Sequence, residues 1–367
     1  MKFEISKLLK KKIYIKTNIF ILKRFPNDIR IKENFILVAP KNIDKKILKK
    51  IKNKFNKQIV KIIFKPHGEP NSKMINKYLN SQLNAKLILA VGGGSTIDFA
   101  KALSIINPKK NIQYHEFGSK IKNSIPVSCI PTTCGSGSDV TQYAVINNSL
   151  TKRKFTIADD NIIPKNTYLC PDLLNIISKK YIFASLYDAF SHCLEVFFNK
   201  NEDTKIKKFS LIGIKLGFEI LDKKINKKYF KNYMILALIG GLCILKSRTS
   251  IIHTLSVAVS KYYNLPHGLL NLYLTTIGIE FNQPYNNKDL LLVNNLLKNK
   301  SLISWIEKLE NLNKKYYNLK LRKMNSLDVI KRISQDKGLK KVCYRRINKK
   351  NIDELIKKIN EKNKKFL

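Results

Sequence analysis

Residues 87–101 read LILAVGGGSTIDFAK. Five apolar residues in a row fit a strand buried on both faces, and STIDFAK reads as the opening of a helix. Ser95 or Thr96 is placed to cap a helix starting near Thr96. Glycine forms neither strand nor helix well, so three between them mark a backbone that something approaches more closely than a side chain would allow. Peptide N–H groups in such a loop, added to the positive end of a helix dipole, suit a phosphate. The spacing is neither GxGxxG nor GxxxxGK[ST], so the commonest dinucleotide and P-loop fingerprints are absent, and a plain strand-to-helix connector would read the same.

FILVA (35–39), IVKIIF (59–64) and VSCI (127–130) are further short apolar runs, separated by helical patterns at 43–55 and 72–83. Strand–helix–strand alternation predicts a parallel sheet covered by helices, whose ligands sit at the C-terminal ends of the strands. After VSCI comes PTTCGSGSDVT (131–141), where Thr132, Thr133, Ser136, Ser138 and Thr141 offer hydroxyls to a phosphate, a ribose or a carboxamide. Two small-residue loops after two neighbouring strands are best explained by one bound dinucleotide. From about residue 172 the pattern changes. The segments 173–198, 206–225 and 232–263 are long and helical in period, and the tail 351–367 reads as a final amphipathic helix. The expectation is a doubly wound α/β, Rossmann-like domain over 1–175 and an all-α domain over 176–367.

Of the five histidines, His192, His253 and His267 lie in the helical half. DAFSH places Asp188 and His192 four apart on one helical face, where both can reach one ion. His253 follows in an apolar helix, and His267 sits in NLPHG, where Pro266 and Gly268 mark a turn. Taken singly, these are a buried hydrogen-bonded pair, a core histidine and a turn residue; one site explains all four more economically. A carboxylate and three imidazoles suit Fe²⁺ or Zn²⁺ with room for a substrate oxygen.

Seventy Lys+Arg against 26 Asp+Glu give a formal charge of +44. Lysine is spread over the whole chain among many Asn and Ile residues, so the excess reads as compositional drift and not as a nucleic-acid groove, while favouring an anionic substrate or cofactor. The runs KKIKNKFNK, LKLRKMN and KKINEKNKK are expected on solvated helix faces. The six cysteines include no CxxC pair, the N-terminal stretch MKFEISKLLKKKIYIK lacks a secretory pattern, and no apolar run approaches the roughly 20 residues of a membrane span. A reduced, cytoplasmic chain with no membrane partner is expected.

These motifs together resemble the iron-containing alcohol dehydrogenase superfamily, whose wider relatives include glycerol dehydrogenase and dehydroquinate synthase. The resemblance runs from about residue 35 to 275. GGGSTIDFAK is similar to the family's GGGSxxDxAK, which binds the cofactor pyrophosphate, and PTTCGSGSDVT to its PTTxGTGSEVT loop. DAFSH matches DAxxH, and His253 and His267 match the remaining ligands. The resemblance implies a metal held by Asp188, His192, His253 and His267 in the cleft between two domains. It implies a pyrophosphate on Gly93, Gly94 and Ser95, with ribose and nicotinamide near Thr132, Thr133, Thr141 and Lys154. Asp98 either braces the loop or favours the helix N-terminus. A homodimer or larger assembly is the family's habit.

Two departures follow. Many members carry a second histidine four residues after the one matching His253; here that position is Val257, leaving Ser256 or a water to serve. Members preferring NAD often place Asp at the end of the strand matching FILVA; here Pro40 and Lys41 stand, which favours NADP(H) over NAD(H). The expected reaction is hydride transfer between nicotinamide and a primary alcohol or its aldehyde. A branch acting on an acidic sugar or a phosphonate-type substrate, like a 3-deoxy-octulosonate 8-oxidase, is the alternative. A dehydroquinate-synthase-like cyclase and a non-catalytic nucleotide- or nucleic-acid-binding homologue are weaker rivals.

Overall fold

The computed structural model describes residues 15–79, 84–106, 111–151, 153–200, 202–283, 285–298, 300–317, 324–336 and 338–366. Most of the charged N-terminal stretch, the end of the 72–83 pattern and most of LKLRKMN lie outside them. The chain divides into two compact units, Met1–Ile176 and Ile177–Leu367.

The first unit is a six-stranded parallel sheet. Its strands are β1 (Asn18–Ile21), β2 (Phe35–Pro40), β3 (Ile59–Lys65), β4 (Leu87–Gly92), β5 (Val127–Pro131) and β8 (Asn166–Leu169), in the order β1-β8-β5-β4-β2-β3. A two-stranded antiparallel hairpin, β6 (Tyr143–Asn147) with β7 (Lys154–Ala158), stands beside it. The four apolar runs of the sequence are β2, β3, β4 and β5. The four-residue strands β1 (NIFI) and β8 (NTYL) and the hairpin were not marked by the sequence pattern.

Why the sheet takes both faces is visible in alternate residues. Ile36, Val38, Ile88 and Ala90 pack on one side with α3 (Gly94–Ser104) through Ile97, Phe99 and Leu103, and with α2 (Ser72–Asn76) through Ile75. Phe35, Leu37, Leu87, Leu89 and Val91 pack on the other side with α1 (Lys45–Phe55) through Ile51 and Phe55. Every residue of β4 is buried, as a continuous apolar run in a central parallel strand requires. The chain leaves β2 outward to β3 and returns across to β4 on the opposite side of β2, so the winding reverses between β2 and β4. In doubly wound sheets that reversal opens the crevice where ligands bind.

The second unit is helical: α4 (Lys179–Phe197), α5 (Thr204–Ile220), α6 (Phe230–Lys246), α7 (Ile251–Val259) and α8 (His267–Asn282) lead into shorter helices and a final helix, Lys349–Phe366. α4 is the centre. Nearly all of it is buried, and its neighbours carry glycines where they meet it. A Cβ on Gly240 of α6 would stand 2.7 Å from the Ala189 carbonyl oxygen. One on Gly268 of α8 would overlap the Ala184 carbonyl, 2.7 Å from its carbon. The single long pattern expected over 232–263 breaks into two helices at residues 247–250. The stretch Lys227–Lys246 meets the length and apolarity of a membrane span, which the sequence reading did not anticipate; 72% of that window is buried inside the unit, so it is a core helix here. All six cysteines are free and buried.

Candidate functional site

The glycine loop leaves β4 at the reversal point. The helix after it begins at Gly94, two residues earlier than expected, with Gly93 as its first flanking residue and no side chain capping it. No side chain therefore accepts from its first N–H groups, of which Thr96 N–H bonds the Gly93 carbonyl at 2.9 Å. β4 and β5 end side by side, Gly92 opposite Pro131, and Thr132 N–H donates to the Gly92 carbonyl at 3.0 Å. The two loops touch. A Cβ on Gly93 would meet Thr133 Cγ2 at 3.0 Å, and one on Gly94 would overlap Ser136. No φ in the triplet lies in the left-handed region. The glycines thus serve first to let the second loop close against the first, and the helix start is left without a side-chain cap.

Asp98 settles one open alternative. Its carboxylate accepts the Ser138 hydroxyl, and the Val145 N–H at 3.1 Å, so it ties helix α3 to the second loop and the hairpin. Burial raises its pKa, against the pull of the Lys101 ammonium. Lys101 is fully buried and donates to the Tyr143 carbonyl at 2.7 Å and Ser138 Oγ at 3.2 Å; burial pushes it down to about 8. Thr132 and Thr141 are buried beside this brace. Lys154 belongs to a different network, pairing with Glu69 Oε1 at 2.6 Å.

In the helical unit three helices converge. Asp188, His192 and Glu195 follow one another along one face of α4, at i, i+4 and i+7. His253 comes from the first turn of α7. His267 is the first residue of α8, with Pro266 before it, and not a turn residue as expected. Ligand atoms of Asp188, His253 and His267 all lie within 4.8 Å of one another. Asp188 Oδ1 stands 3.3 Å from His253 Nε2 and 3.5 Å from His267 Nε2. His192 lies slightly apart, its Nε2 3.9 Å from the same oxygen and its ring stacked on His253 with centroids 4.7 Å apart. Asp188, His192 and His253 are buried, while the His267 side chain is 45% exposed.

Three more residues belong to this centre, two of which, Glu195 and Asn271, sequence reasoning passed over. Glu195 Oε2 bonds His253 Nδ1, and its Oε1 accepts the Ile252 N–H at 2.6 Å and the His253 N–H at 3.3 Å. One carboxylate thereby caps the start of α7 and turns the His253 Nε2 toward Asp188. The signal for it was available: Glu195 continues the face that Asp188 and His192 define. Ser256, fully buried, sits behind His267 with its Oγ 3.2 Å from Nδ1. It is therefore in reach to orient that ring, while Val257, where relatives carry a histidine, is 40% exposed. Asn271, one turn after His267, places its amide nitrogen 2.9 Å from Asp188 Oδ1.

The electrostatics favour a cation. Burial opposes the Asp188 charge, yet the neighbouring imidazoles hold the carboxyl well below the usual carboxylate range. Burial likewise opposes charging His253, but Glu195 and then Asp188 outweigh it and raise the ring to about 9. Burial pushes His192 down to about 3, keeping it neutral. Among the described residues no lysine or arginine pairs with Asp188 or Glu195, in a chain of net charge +44. A buried carboxylate surrounded by imidazole nitrogens, with no lysine or arginine among the described residues to neutralise it, fits a divalent first-row ion.

Comparison with known proteins agrees with this architecture. The profile of the iron-containing alcohol dehydrogenase family matches residues 12–171, and that of the Fe-containing alcohol dehydrogenase C-terminal region matches residues 182–360. The chain belongs to the iron-containing alcohol dehydrogenase family. It is 28% identical over 217 residues to a 4-hydroxybutyrate dehydrogenase of Clostridium kluyveri, a stretch covering 57% of this chain and 58% of that one. It is 30% identical over 209 residues to the NADH-dependent butanol dehydrogenase B of Clostridium acetobutylicum, covering 53% of each. The aligned stretches thus span little more than half of these relatives. Among solved structures, an iron-containing alcohol dehydrogenase from Thermotoga maritima superposes with a TM-score of 0.82 at 20% identity, over 95% of this chain and 99% of that one. A sulfoacetaldehyde reductase from Bifidobacterium kashiwanohense in complex with NAD+ superposes at 0.81 and 19% identity, over 95% and 98%. At that identity the likeness speaks for the fold.

Proposed function

We propose that this chain is a metal-dependent, nicotinamide-linked dehydrogenase that interconverts a primary alcohol and its aldehyde: alcohol plus oxidised cofactor gives aldehyde, reduced cofactor and a proton. The observation that carries the reading is the buried convergence of Asp188, His253 and His267, with His192 beside them. An Fe²⁺ or Zn²⁺ ion held by these four residues supplies a Lewis acid for the substrate oxygen, and the nicotinamide supplies the hydride acceptor or donor.

This chain's own residues do the rest. Glu195 and Ser256 fix the rings of His253 and His267, so that each presents Nε2 inward. Gly93, Gly94 and Ser95 offer the uncapped N-terminus of α3 to the pyrophosphate. Asp98 acts by bracing that loop, while Thr132, Thr133 and Thr141 line the second loop for ribose and nicotinamide. Lys154, held by Glu69, positions the hairpin. Because Ser256 is occupied and Val257 is apolar, the proton released on oxidation leaves through water at the exposed His267 side.

Pro40 ends β2 beside the reversal point, and Lys41 follows it. With no carboxylate there to repel a 2′-phosphate and a cation adjacent, NADP(H) is accepted and preferred to NAD(H). Two relatives are named for 4-hydroxybutyrate and butanol; aldehydes of that size, with and without a terminal anion, are the substrates to try first.

The test is oxidation of NADPH and NADH by the purified chain loaded with Fe²⁺ or Zn²⁺, against short-chain, carboxylated, phosphonate and sugar-acid aldehydes. Metal-dependent turnover is expected, and it is lost together with bound metal in His267→Ala. Full metal content and turnover in that variant would sink the assignment.

A further inference from the structure

Asn271 is fully buried on α8, one turn after His267. Its amide nitrogen stands close to four polar atoms: Asp188 Oδ1 at 2.9 Å, His253 Nε2 at 3.1 Å, His267 Nε2 at 3.4 Å and Ser191 Oγ at 3.5 Å. An amide nitrogen has two hydrogens, so it cannot serve all four. Its oxygen, Oδ1, is buried without a hydrogen-bond partner. The side chain thus turns a donor toward lone pairs that an ion would take, and leaves its acceptor idle.

The distances say where this amide sits relative to such an ion. Nitrogen and oxygen ligands bind first-row divalent ions at about 2.0–2.2 Å, which separates neighbouring ligand atoms by about 3.0 Å in an octahedron and about 3.4 Å in a tetrahedron. Asp188 Oδ1, His253 Nε2 and His267 Nε2 already stand 3.3 and 3.5 Å apart along the two pairs that share the oxygen. The inward amide atom of Asn271 lies 2.9–3.4 Å from all three. It is too far from them to occupy the ion's own position, and at the right distance for a further corner of the same polyhedron. It is nearer to Asp188 Oδ1 than His192 Nε2 is, at 3.9 Å. Half a turn about the last side-chain torsion exchanges the amide oxygen and nitrogen almost in place. The oxygen would then occupy that corner, where a cation rewards an acceptor.

We propose that Asn271 is a further, neutral donor to the metal, its Oδ1 turned inward when the ion is bound. This rests on the metal reading above. It makes α8 supply two ligand positions four residues apart, His267 and Asn271, as α4 supplies Asp188 and His192. A neutral amide oxygen is a weak donor beside a carboxylate, so the corner it holds is also the one an incoming substrate oxygen displaces most readily.

The test measures metal binding, apart from activity. Zn²⁺ affinity of the full-length chain is read by competition with a chromophoric chelator, and coordination by the visible absorption of the Co²⁺-loaded chain. The variants are Asn271→Leu, Asn271→Asp and, as control, Asp188→Ala, with folding checked by circular dichroism. Expected are a Zn²⁺ affinity at least tenfold weaker in Asn271→Leu, an affinity tighter than the parent's in Asn271→Asp, and a Co²⁺ spectrum in Asn271→Leu shifted toward lower coordination. Parent-like affinity and spectrum in Asn271→Leu, while Asp188→Ala loses the ion, would overturn the proposal and leave the metal reading standing. Equal weakening in Asn271→Leu and Asn271→Asp would assign Asn271 a packing role only, and so also overturn it. Undiminished binding in Asp188→Ala would remove the metal reading itself.

Discussion

Gly268→Ala isolates the contact that brings the site together. The added Cβ would overlap the Ala184 carbonyl oxygen, lie 2.7 Å from the carbonyl carbon and stand 3.1 Å from Asp188 Cβ. Ordinary carbon–carbon contact begins at about 3.5 Å, so α8 must retreat from α4 by roughly 0.8 Å or more. Helix propensity favours alanine by at most about 1 kcal/mol, whereas overpacking against main chain costs about 1–3 kcal/mol. The clash wins, and the helical unit melts lower by a few degrees, at about 2–4 °C per kcal/mol. The larger effect is on the ion. His267 Nε2 already stands 3.5 Å from Asp188 Oδ1, and metal bonds tolerate about 0.2 Å, so the retreat takes His267 out of reach. A loss of roughly 100-fold in affinity removes about 2.7 kcal/mol of metal-induced stabilisation. The assay is thermal unfolding of parent and variant, each with and without Zn²⁺. A variant that keeps both the parent's melting temperature and its upward shift with metal would refute the claim that the approach of α8 to α4 sets the ligand geometry.

Glu195→Gln keeps an acceptor for the start of α7 but takes the negative charge from His253 Nδ1; metal affinity drops roughly 10–100-fold by chelator competition, with helical content unchanged. Metal uptake must expel the proton that Glu195 and Asp188 hold on His253 up to about 9. Apparent Zn²⁺ affinity therefore climbs by up to tenfold per pH unit and levels off above about 9, with one proton released per ion in calorimetry across buffers. The same raised pKa makes the metal-free chain most stabilised by this group below its ordinary 6.5, the contribution fading as pH rises toward about 9. Asp98→Ala strands the buried Lys101 ammonium, costs about 3–5 kcal/mol of stability and weakens nicotinamide cofactor binding, read by denaturant melts and fluorescence titration; Asp98→Asn, which keeps the acceptor for Ser138, costs less.

What the sequence made legible follows from where chemistry is written into composition. β2, β4 and β5 are runs of apolar residues because both their faces are covered; β3 carries such a run at the edge of the sheet, with Val60 and Phe64 exposed. β1 and β8 are only four residues long, too short to show a period, and the hairpin strands alternate between buried and exposed residues. The convergence of Asp188, His192, His253 and His267 was legible because Asp and His are costly to bury in apolar helices without a purpose. Glu195 and Asn271 were not, since their partners come from other helices, and nothing in local spacing says that residue 195 meets residue 253 or that residue 271 meets residue 188. The start of α3 was misjudged because Ser95 and Thr96 look like caps. The close approach of Thr133 and Ser136 instead requires Gly93 and Gly94 at that turn.

The charge of the chain and the charge of its site run in opposite directions, and the contrast carries information. Seventy lysines and arginines leave a cation available near almost any surface carboxylate. The pairs Lys154–Glu69, Lys207–Asp289, Arg248–Asp336 and Lys362–Glu310 show that the chain uses them in that way. Even Glu310, nearly buried, has its lysine. Asp188 and Glu195 stand out because, among the described residues, their side chains pair with imidazoles, an amide and backbone N–H groups. Two buried carboxylates would cost several kcal/mol each if left uncompensated. A single proton on His253 offsets one of them. The second is offset when that proton gives way to an ion of charge +2. The deficit of positive charge is thus local and amounts to about two units, which is what a divalent metal would supply, and a lysine paired at this place would have closed the site to it.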